Sequence, residues 1–265
     1  RLHVRFNPIE TVVFRASAGK ANRQANILAE NISYFFSYRT LEMDLYENLD
    51  AEAAWNYGFN FTTNFSILNK ETTFNMDVYQ TDFQNQVVVD IEQGDKIKIY
   101  NLNGTSYSTS LQIDATIEPA EGWELKFAQK WNETKTTYGE NGSSTTTYMP
   151  FVSKYRSLAQ VSYAAWQNKW DINITLQNIG PSRVPAKGEQ AESWSPNFNL
   201  LSGQFTKRFK RFDWYIGIEN ALSFTQENPI RSIESPFSPE FDAAMIWGPV
   251  MGRKMYSGIR VKFND

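Results

Sequence analysis

The sequence predicts an all-β chain folded as an antiparallel up-and-down transmembrane β-barrel, and three observations predict it. Apolar and polar residues alternate with a period of two in many segments. Short and long connections alternate between those segments. No window approaches the roughly 20 apolar residues that a spanning helix needs. The 265 residues have a hydrophobic fraction of 41% and a mean hydropathy of -0.50. A barrel shows lipid only every second residue, so such an average conceals a membrane face instead of excluding one.

The last segment carries the pattern plainly. Met255, Ser257, Ile259, Val261 and Phe263 share one face, and Tyr256, Gly258, Arg260 and Lys262 share the other. Upstream, Trp55, Tyr57, Phe59 and Phe61 oppose Asn56, Gly58, Asn60 and Thr62, and Phe74, Met76 and Val78 oppose Asn75, Asp77 and Tyr79. Leu111, Ile113, Ala115 and Ile117 then oppose Gln112, Asp114 and Thr116. Trp123, Leu125 and Phe127 oppose Glu124, Lys126 and Ala128, while Trp170, Ile172, Ile174 and Leu176 oppose Asp171, Asn173, Thr175 and Gln177. Further strands are expected at Ser157 to Tyr163, Leu200 to Phe209 and Trp214 to Ala221, and Arg1 to Phe6 reads as the end of another. Aromatic residues make up 15% of the chain, with 8 Trp, 13 Tyr and 19 Phe, which aromatic girdles at two membrane interfaces would explain and an aromatic core would also explain.

Short turns are expected at Asn7 to Glu10, Ile67 to Glu71, Glu118 to Gly122, Gln167 to Lys169 and Lys210 to Phe212. Between them lie long polar connections at Lys20 to Ala51, Val88 to Ser106, Thr134 to Ser153, Gly180 to Pro196 and Leu222 to Gly252. Tight turns on one side and long loops on the other mark an outer-membrane barrel, whereas a Greek-key sandwich mixes the lengths. The count is about eleven strands, and single-chain bacterial barrels have an even number, so the chain reads as part of a barrel. Eleven is half of the 22 strands of plugged outer-membrane transporters.

Composition excludes several function classes. With no cysteine there is no disulfide, thiol nucleophile or thiolate metal site, and one histidine, His3, provides no imidazole cluster, so neither a metal nor a cofactor is expected. A net charge of -3 without a basic stripe argues against a nucleic-acid partner. Catalysis is not expected either, since His3 has no nucleophile motif near it and carboxylate pairs arise by accident among 29 Asp and Glu residues.

Four stretches resemble the C-terminal half of the barrel of the TonB-dependent outer-membrane receptors. They are Arg15-Ala-Ser-Ala-Gly-Lys-Ala-Asn-Arg-Gln-Ala-Asn-Ile-Leu-Ala-Glu-Asn31, Tyr79-Gln-Thr-Asp-Phe-Gln-Asn-Gln-Val87, Glu219-Asn-Ala-Leu-Ser-Phe-Thr-Gln-Glu-Asn-Pro229 and Trp247-Gly-Pro-Val-Met-Gly-Arg253. They come in the family's order and end at a strand that looks like the barrel-closing one. The family's plug domain and energy-coupling box have no counterpart here, and Asn264-Asp265 extend past the terminal Phe263. Residues 1–265 are thus expected to be a C-terminal barrel portion in the outer membrane of a Gram-negative bacterium. The resemblance implies import of a scarce bulky solute such as a siderophore, haem, cobalamin, metal complex or glycan, driven by TonB through a plug. Outer-membrane lipid, lipopolysaccharide and a surface lipoprotein are the further partners it suggests. Readings from other classes are a soluble glycan-binding β-protein, a passive porin, and a barrel subunit of another outer-membrane assembly.

Two groups of residues are candidates for the site. Arg23, Asn26, Glu30, Asn31 and Tyr34 sit in the first long connection, where loops on a rigid scaffold carry function, although a self-packed loop would look the same. Asp77, Asp114, Glu124, Lys126, Asp171, Glu219, Arg260 and Lys262 are expected to face the lumen, either guiding a solute and gripping a plug or simply solvating a wet interior. The acidic run Glu42, Asp44, Glu47, Asp50 and Glu52 has oxygen ligands of the kind Ca²⁺ takes but neither the spacing nor the glycine of an EF-hand, so a solvated loop face is expected. Trp247-Gly-Pro is expected to be a turn that anchors the last loop.

Overall fold

Aromatic and β-branched residues fill the alternating segments, which suits them to a pleated ribbon with two unlike faces. A computed structural model describes residues 1–43, 49–67, 69–92, 95–139, 144–165, 167, 169–185 and 193–263. Its strands are β1 (Leu2–Ile9), β2 (Val12–Arg23), β3 (Thr40–Met43), β4 (Glu52–Ile67), β5 (Lys70–Asn85), β6 (Val87–Asp90), β7 (Lys96–Asn101), β8 (Ser106–Ile117) and β9 (Trp123–Tyr138). They continue as β10 (Thr145–Tyr148), β11 (Tyr155–Ala165), β12 (Trp170–Ile179), β13 (Arg183–Val184), β14 (Ser193–Trp194), β15 (Phe198–Arg208), β16 (Phe212–Glu219) and β17 (Lys254–Val261). A single helical turn, α1 (Ile27–Glu30), and a 3-10 turn over Ile32–Phe35 follow β2.

Among the described residues, eleven strands form one path in the order β1-β2-β4-β5-β8-β9-β11-β12-β15-β16-β17, with β10 paired to β9 beside it. Every neighbour on the path is antiparallel and consecutive, as an up-and-down wall requires. The short connections include an Asn69 turn held in the left-handed region at φ 61 and a Gly122 turn at φ 78. Asparagine and glycine tolerate that region, which explains why the chain reverses there.

Register fixes which side chains share a face. Phe61 lies opposite both Phe14 and Met76, Met76 opposite Ile113, and Ala115 opposite Phe127. Val161 pairs with both Leu125 and Ile174, and Trp214 pairs with both Lys207 and Ile259. This apolar face remains uncovered: Phe127 is 48%, Ile174 47% and Trp131 43% exposed. A contiguous uncovered apolar sheet of this extent is not tolerated in water and fits lipid. Rings gather at both of its borders. Trp123 and Tyr163 lie 4.5 Å apart, Trp170 and Phe205 5.2 Å, and Phe205 and Trp214 6.2 Å at the short-turn border, while Trp55, Tyr57 and Trp131 lie towards the long connections. The interval from Trp123 to Trp131 on β9 is roughly 26 Å along the strand at ~3.3 Å per residue, the order of the apolar band of such walls. On the opposite, polar face, tyrosines lie over cross-strand glycines: a Cβ at Gly217 would overlap the Tyr256 ring, and one at Gly258 the Tyr215 ring.

The long connections are more structured than the sequence suggests. The stretch expected as one loop from Val88 to Ser106 holds the hairpin β6–β7, and β3 adds to β7 in parallel. Strand β9 runs to Tyr138, four residues past the expected start of its loop, because hydroxyl pairs such as Ser108 with Thr134 and Ser106 with Thr136, each 3.0 Å, extend the ladder without apolar residues. The core sits in this layer and not between sheets. Ile91, Ile97 and Ile99 are 1% exposed and pack with Val87, Ile27, Tyr34, Phe35 and Phe151. A second cluster joins Val88 and Tyr100 to Tyr138, whose position on β9 is on the polar face, so the layer folds onto that face.

Candidate functional site

Strand β2 ends on the polar face with Arg23, directly opposite Glu52 of β4. Its guanidinium donates to Glu52 at 2.5 Å and, as a fork, to the two oxygens of Glu30 at 3.1 and 2.9 Å. Forked arginine–carboxylate pairs fix geometry as well as charge. Glu30 comes into reach because α1 starts at Asn26, whose side chain accepts from Ala29 N at 3.4 Å, and because the Glu30 carboxylate accepts from Asn26 N at 3.4 Å. Glu52 is buried and also accepts from Val87 N at 3.1 Å, which docks the β6–β7 hairpin on the wall. Asn31 closes the helical turn by donating to Ile27 O at 2.9 Å, and Tyr34 packs against Phe151 with ring centres 6.5 Å apart. Burial pushes the Tyr34 phenol above its ordinary value, partly offset by Arg39.

These contacts create a recess of about 120 Å³ on the polar face at the long-connection end. Arg23, Glu30, Asn31 and Tyr34 line it together, while Asn26 caps the helix and borders a separate cleft with Leu28 and Leu41. Gln86, Thr136 and Tyr138, which were not singled out from sequence, also line it, with Glu52 and apolar residues such as Val88 and Met149. Only the strand register brings Glu52 to Arg23, 29 positions away, and only the hairpin brings Gln86. The acidic run is divided: Glu52 is buried against Arg23 and not solvated, Glu42 pairs with Lys96 at 2.5 Å, and Asp44 and Glu47 lie outside the described residues. Among the described residues no three His, Asp or Glu side chains converge on a metal-sized point.

The second candidate group lies on the polar face by register but does not converge. Asp77 accepts from Asn60 at 2.9 Å, which accepts from Arg15 at 2.7 Å, and Asp114 accepts from Asn75 at 2.9 Å. Farther along the wall Asp171 meets Arg208 at 3.3 Å, Glu219 meets Lys254 at 3.2 Å, and Lys262 meets the buried Asp213 at 2.7 Å. Glu124 sits opposite Ser162, Lys126 opposite Thr116 and Gln160, and Arg260 opposite Asp213. The result is a dispersed polar lining with alternating sign. Trp247 does anchor the last loop: its N–H and that of Gly248 donate to Gln226 at 2.8 and 3.0 Å, and its ring lies 6.0 Å from that of Phe198.

Buried ion pairs knit the loops over this face. Arg39 and Asp242, 1% and 0% exposed, meet at 3.2 Å and join the first long connection to the last. Arg183, fully buried, donates to Glu92 at 2.9 Å and to Tyr148 O at 2.5 Å, joining the other three.

Solved structures with the same fold include the copper transporter OprC, with a TM-score of 0.67 and 13% identity over 98% of this chain and 39% of that one. The ferric-catecholate import receptor Fiu from K12 E. coli matches with a TM-score of 0.66 and 11% identity over 98% and 34%. The siderophore receptor PiuA from Acinetobacter baumannii matches with 0.61 and 14% over 97% and 34%. The chain therefore spans little more than a third of these proteins. No curated protein matches it by sequence. The family profile described as "TonB dependent receptor-like, beta-barrel" matches residues 1–221, and with the consecutive antiparallel wall this places the chain in the TonB-dependent receptor β-barrel family.

Proposed function

We propose that the chain is a C-terminal portion of the barrel wall and external mouth of an outer-membrane importer in a Gram-negative bacterium, with the plug supplied by residues outside it. The solute is scarce and bulky, of the siderophore, haem, cobalamin, metal-complex or glycan kind, and TonB drives its entry through the plug. The observation that carries this reading is the Arg23 recess, a loop-roofed pocket of mixed polar and apolar lining on the polar face at the long-loop end of the wall. Loops pinned over the polar face by a buried ion pair favour a roofed mouth over an open pore, and a soluble glycan binder would not leave Phe127 and Ile174 uncovered. Arg23, Glu30, Asn31 and Tyr34 contact the solute on its way in, and the dispersed Asp77, Asp114, Glu124, Lys126, Asp171, Glu219 and Arg260 line its path and face the plug.

The test is uptake of a labelled panel of ferric siderophores, haem, cobalamin and oligosaccharides by cells that carry the full-length protein, with and without functional TonB. The expected result is accumulation of one solute class that stops when TonB is removed and falls when Arg23→Ala is introduced. Accumulation indifferent to TonB, together with steady ion conductance of the purified protein, would overturn the active-import reading.

A further inference from the structure

We propose that the Arg23 recess is a subsite for a terminal ammonium group of the solute and that it turns anionic groups away. The inference deepens the reading of the recess as a solute contact and rests on it. Among the described residues, the charged ones that line the recess are Arg23, Glu30 and Glu52. One guanidinium against two carboxylates leaves a formal net charge of -1. The guanidinium is also committed, since Nε donates to Glu52 at 2.5 Å while Nη1 and Nη2 donate to Glu30 at 3.1 and 2.9 Å. An entering carboxylate, catecholate or phosphate meets two carboxylates whose counter-charge is already engaged, and like charges in one site repel. An entering ammonium supplies the missing positive charge. Charges beyond the lining do not reverse this balance. Arg183, whose guanidinium lies 5.8 Å from the Tyr138 ring centre, is matched by Glu92, and Arg39 is matched by Asp242.

Uncharged groups provide the rest of an ammonium site. Tyr138 is 6% exposed and lines the recess. Its hydroxyl has no hydrogen-bond partner among the described residues and is not sealed within protein, so it opens to the space that the residue lines. Burial, with Glu92, pushes the Tyr138 phenol above its ordinary value, which keeps it neutral and able to accept. Tyr34, held against Phe151 at 6.5 Å, adds a second ring to the lining. Carboxylate and phenol oxygens accept the three N–H groups of an ammonium, and aromatic rings attract its charge. A volume of about 120 Å³ is close to that of a cavity that holds benzene. It admits an ammonium on a short alkyl stem and not a whole bulky solute. A neutral hydroxyl finds the same oxygens but leaves the charge uncompensated, so charge decides between the two.

The test uses the full-length protein in nanodiscs, titrated by saturation-transfer NMR with three probes of one shape: propylammonium, propanol and propionate. The expected result is that propylammonium binds more tightly than propanol and that propionate does not bind. Glu30→Gln should weaken propylammonium about tenfold, the loss of one hydrogen bond to a charged group, and Tyr138→Phe about threefold, with amide protection in residues 24–40 unchanged in both. The solute that cells accumulate should displace propylammonium, and acetylating its amino group should lower accumulation. Propanol or propionate binding as tightly as propylammonium, or a transported solute with no amino group, would overturn the ammonium subsite. The solute-contact reading would survive that result if Arg23→Ala still lowered uptake. Uptake unchanged in Arg23→Ala, together with no probe binding, would overturn both.

Discussion

The wall and the loop layer solve opposite problems with the same alphabet. In the wall, Phe59, Phe127, Ile172, Ile174 and Ile259 are large, apolar and exposed, because the medium around them is lipid. In the loop layer, Val88, Ile91, Ile97, Ile99, Val184 and Met245 are buried as in any water-soluble domain. The wall keeps its charges on the opposite face in wet, partly exposed pairs such as Asp171 with Arg208, whereas the layer buries Arg39 with Asp242 almost completely. An apolar residue is thus a surface residue in one region and a core residue in the other. The difference predicts that mutations in the two regions fail in different ways.

The largest effect is expected from Arg39→Met, which removes the buried guanidinium that meets Asp242 at 3.2 Å. A broken buried pair costs ~3–5 kcal/mol, here charged to the layer and read as lost amide protection in residues 24–40 and 220–253 with the wall strands unaffected. Ile97→Ala should cost about 2–5 kcal/mol by opening a cavity in the same layer, again visible in hydrogen exchange but not in the heat-resistance of the barrel in detergent gels. Phe127→Arg is the reciprocal test. At mid-band it should cost ~2–4 kcal/mol of wall stability in bilayers while loop protection stays unchanged. If Phe127→Arg instead loosened the loops first, the two regions would be one cooperative unit and the contrast drawn above would fail.

Smaller effects sharpen the comparison. Burial holds the Tyr34 phenol neutral, so its folded pKa lies above its unfolded one. The stabilisation this implies is present below the ordinary phenol range near ~10 and is lost as pH rises through the raised value. Loop protection should therefore fall in alkali and do so less in Tyr34→Phe, while gel mobility of the barrel stays constant. Smallest of all, Lys126→Gln on the wet face should change stability by no more than about 0.5 kcal/mol in denaturant titration.

The sequence by itself determined the wall. Alternation of period two is a local property, so the faces of Trp55 to Thr62 or Trp170 to Gln177 are set as soon as the segment is extended. Short turns between such segments make neighbours antiparallel, and order along the chain then becomes order in the sheet. Part of the site was also legible: Arg23, Glu30, Asn31 and Tyr34 lie close in sequence, and one helical turn suffices to gather them. Only the tertiary structure decided the rest. Nothing local brings Glu52 to Arg23, Arg183 to Glu92 or Asp242 to Arg39, since each pair joins residues tens to hundreds of positions apart. The long connections read as polar loops because their apolar residues, such as Ile91, Ile97 and Ile99, are sparse and serve a core shared between loops. Periodicity records how one segment meets its surroundings, whereas a shared core depends on which segments meet each other, and that is decided only when the strands have set where each loop begins and ends.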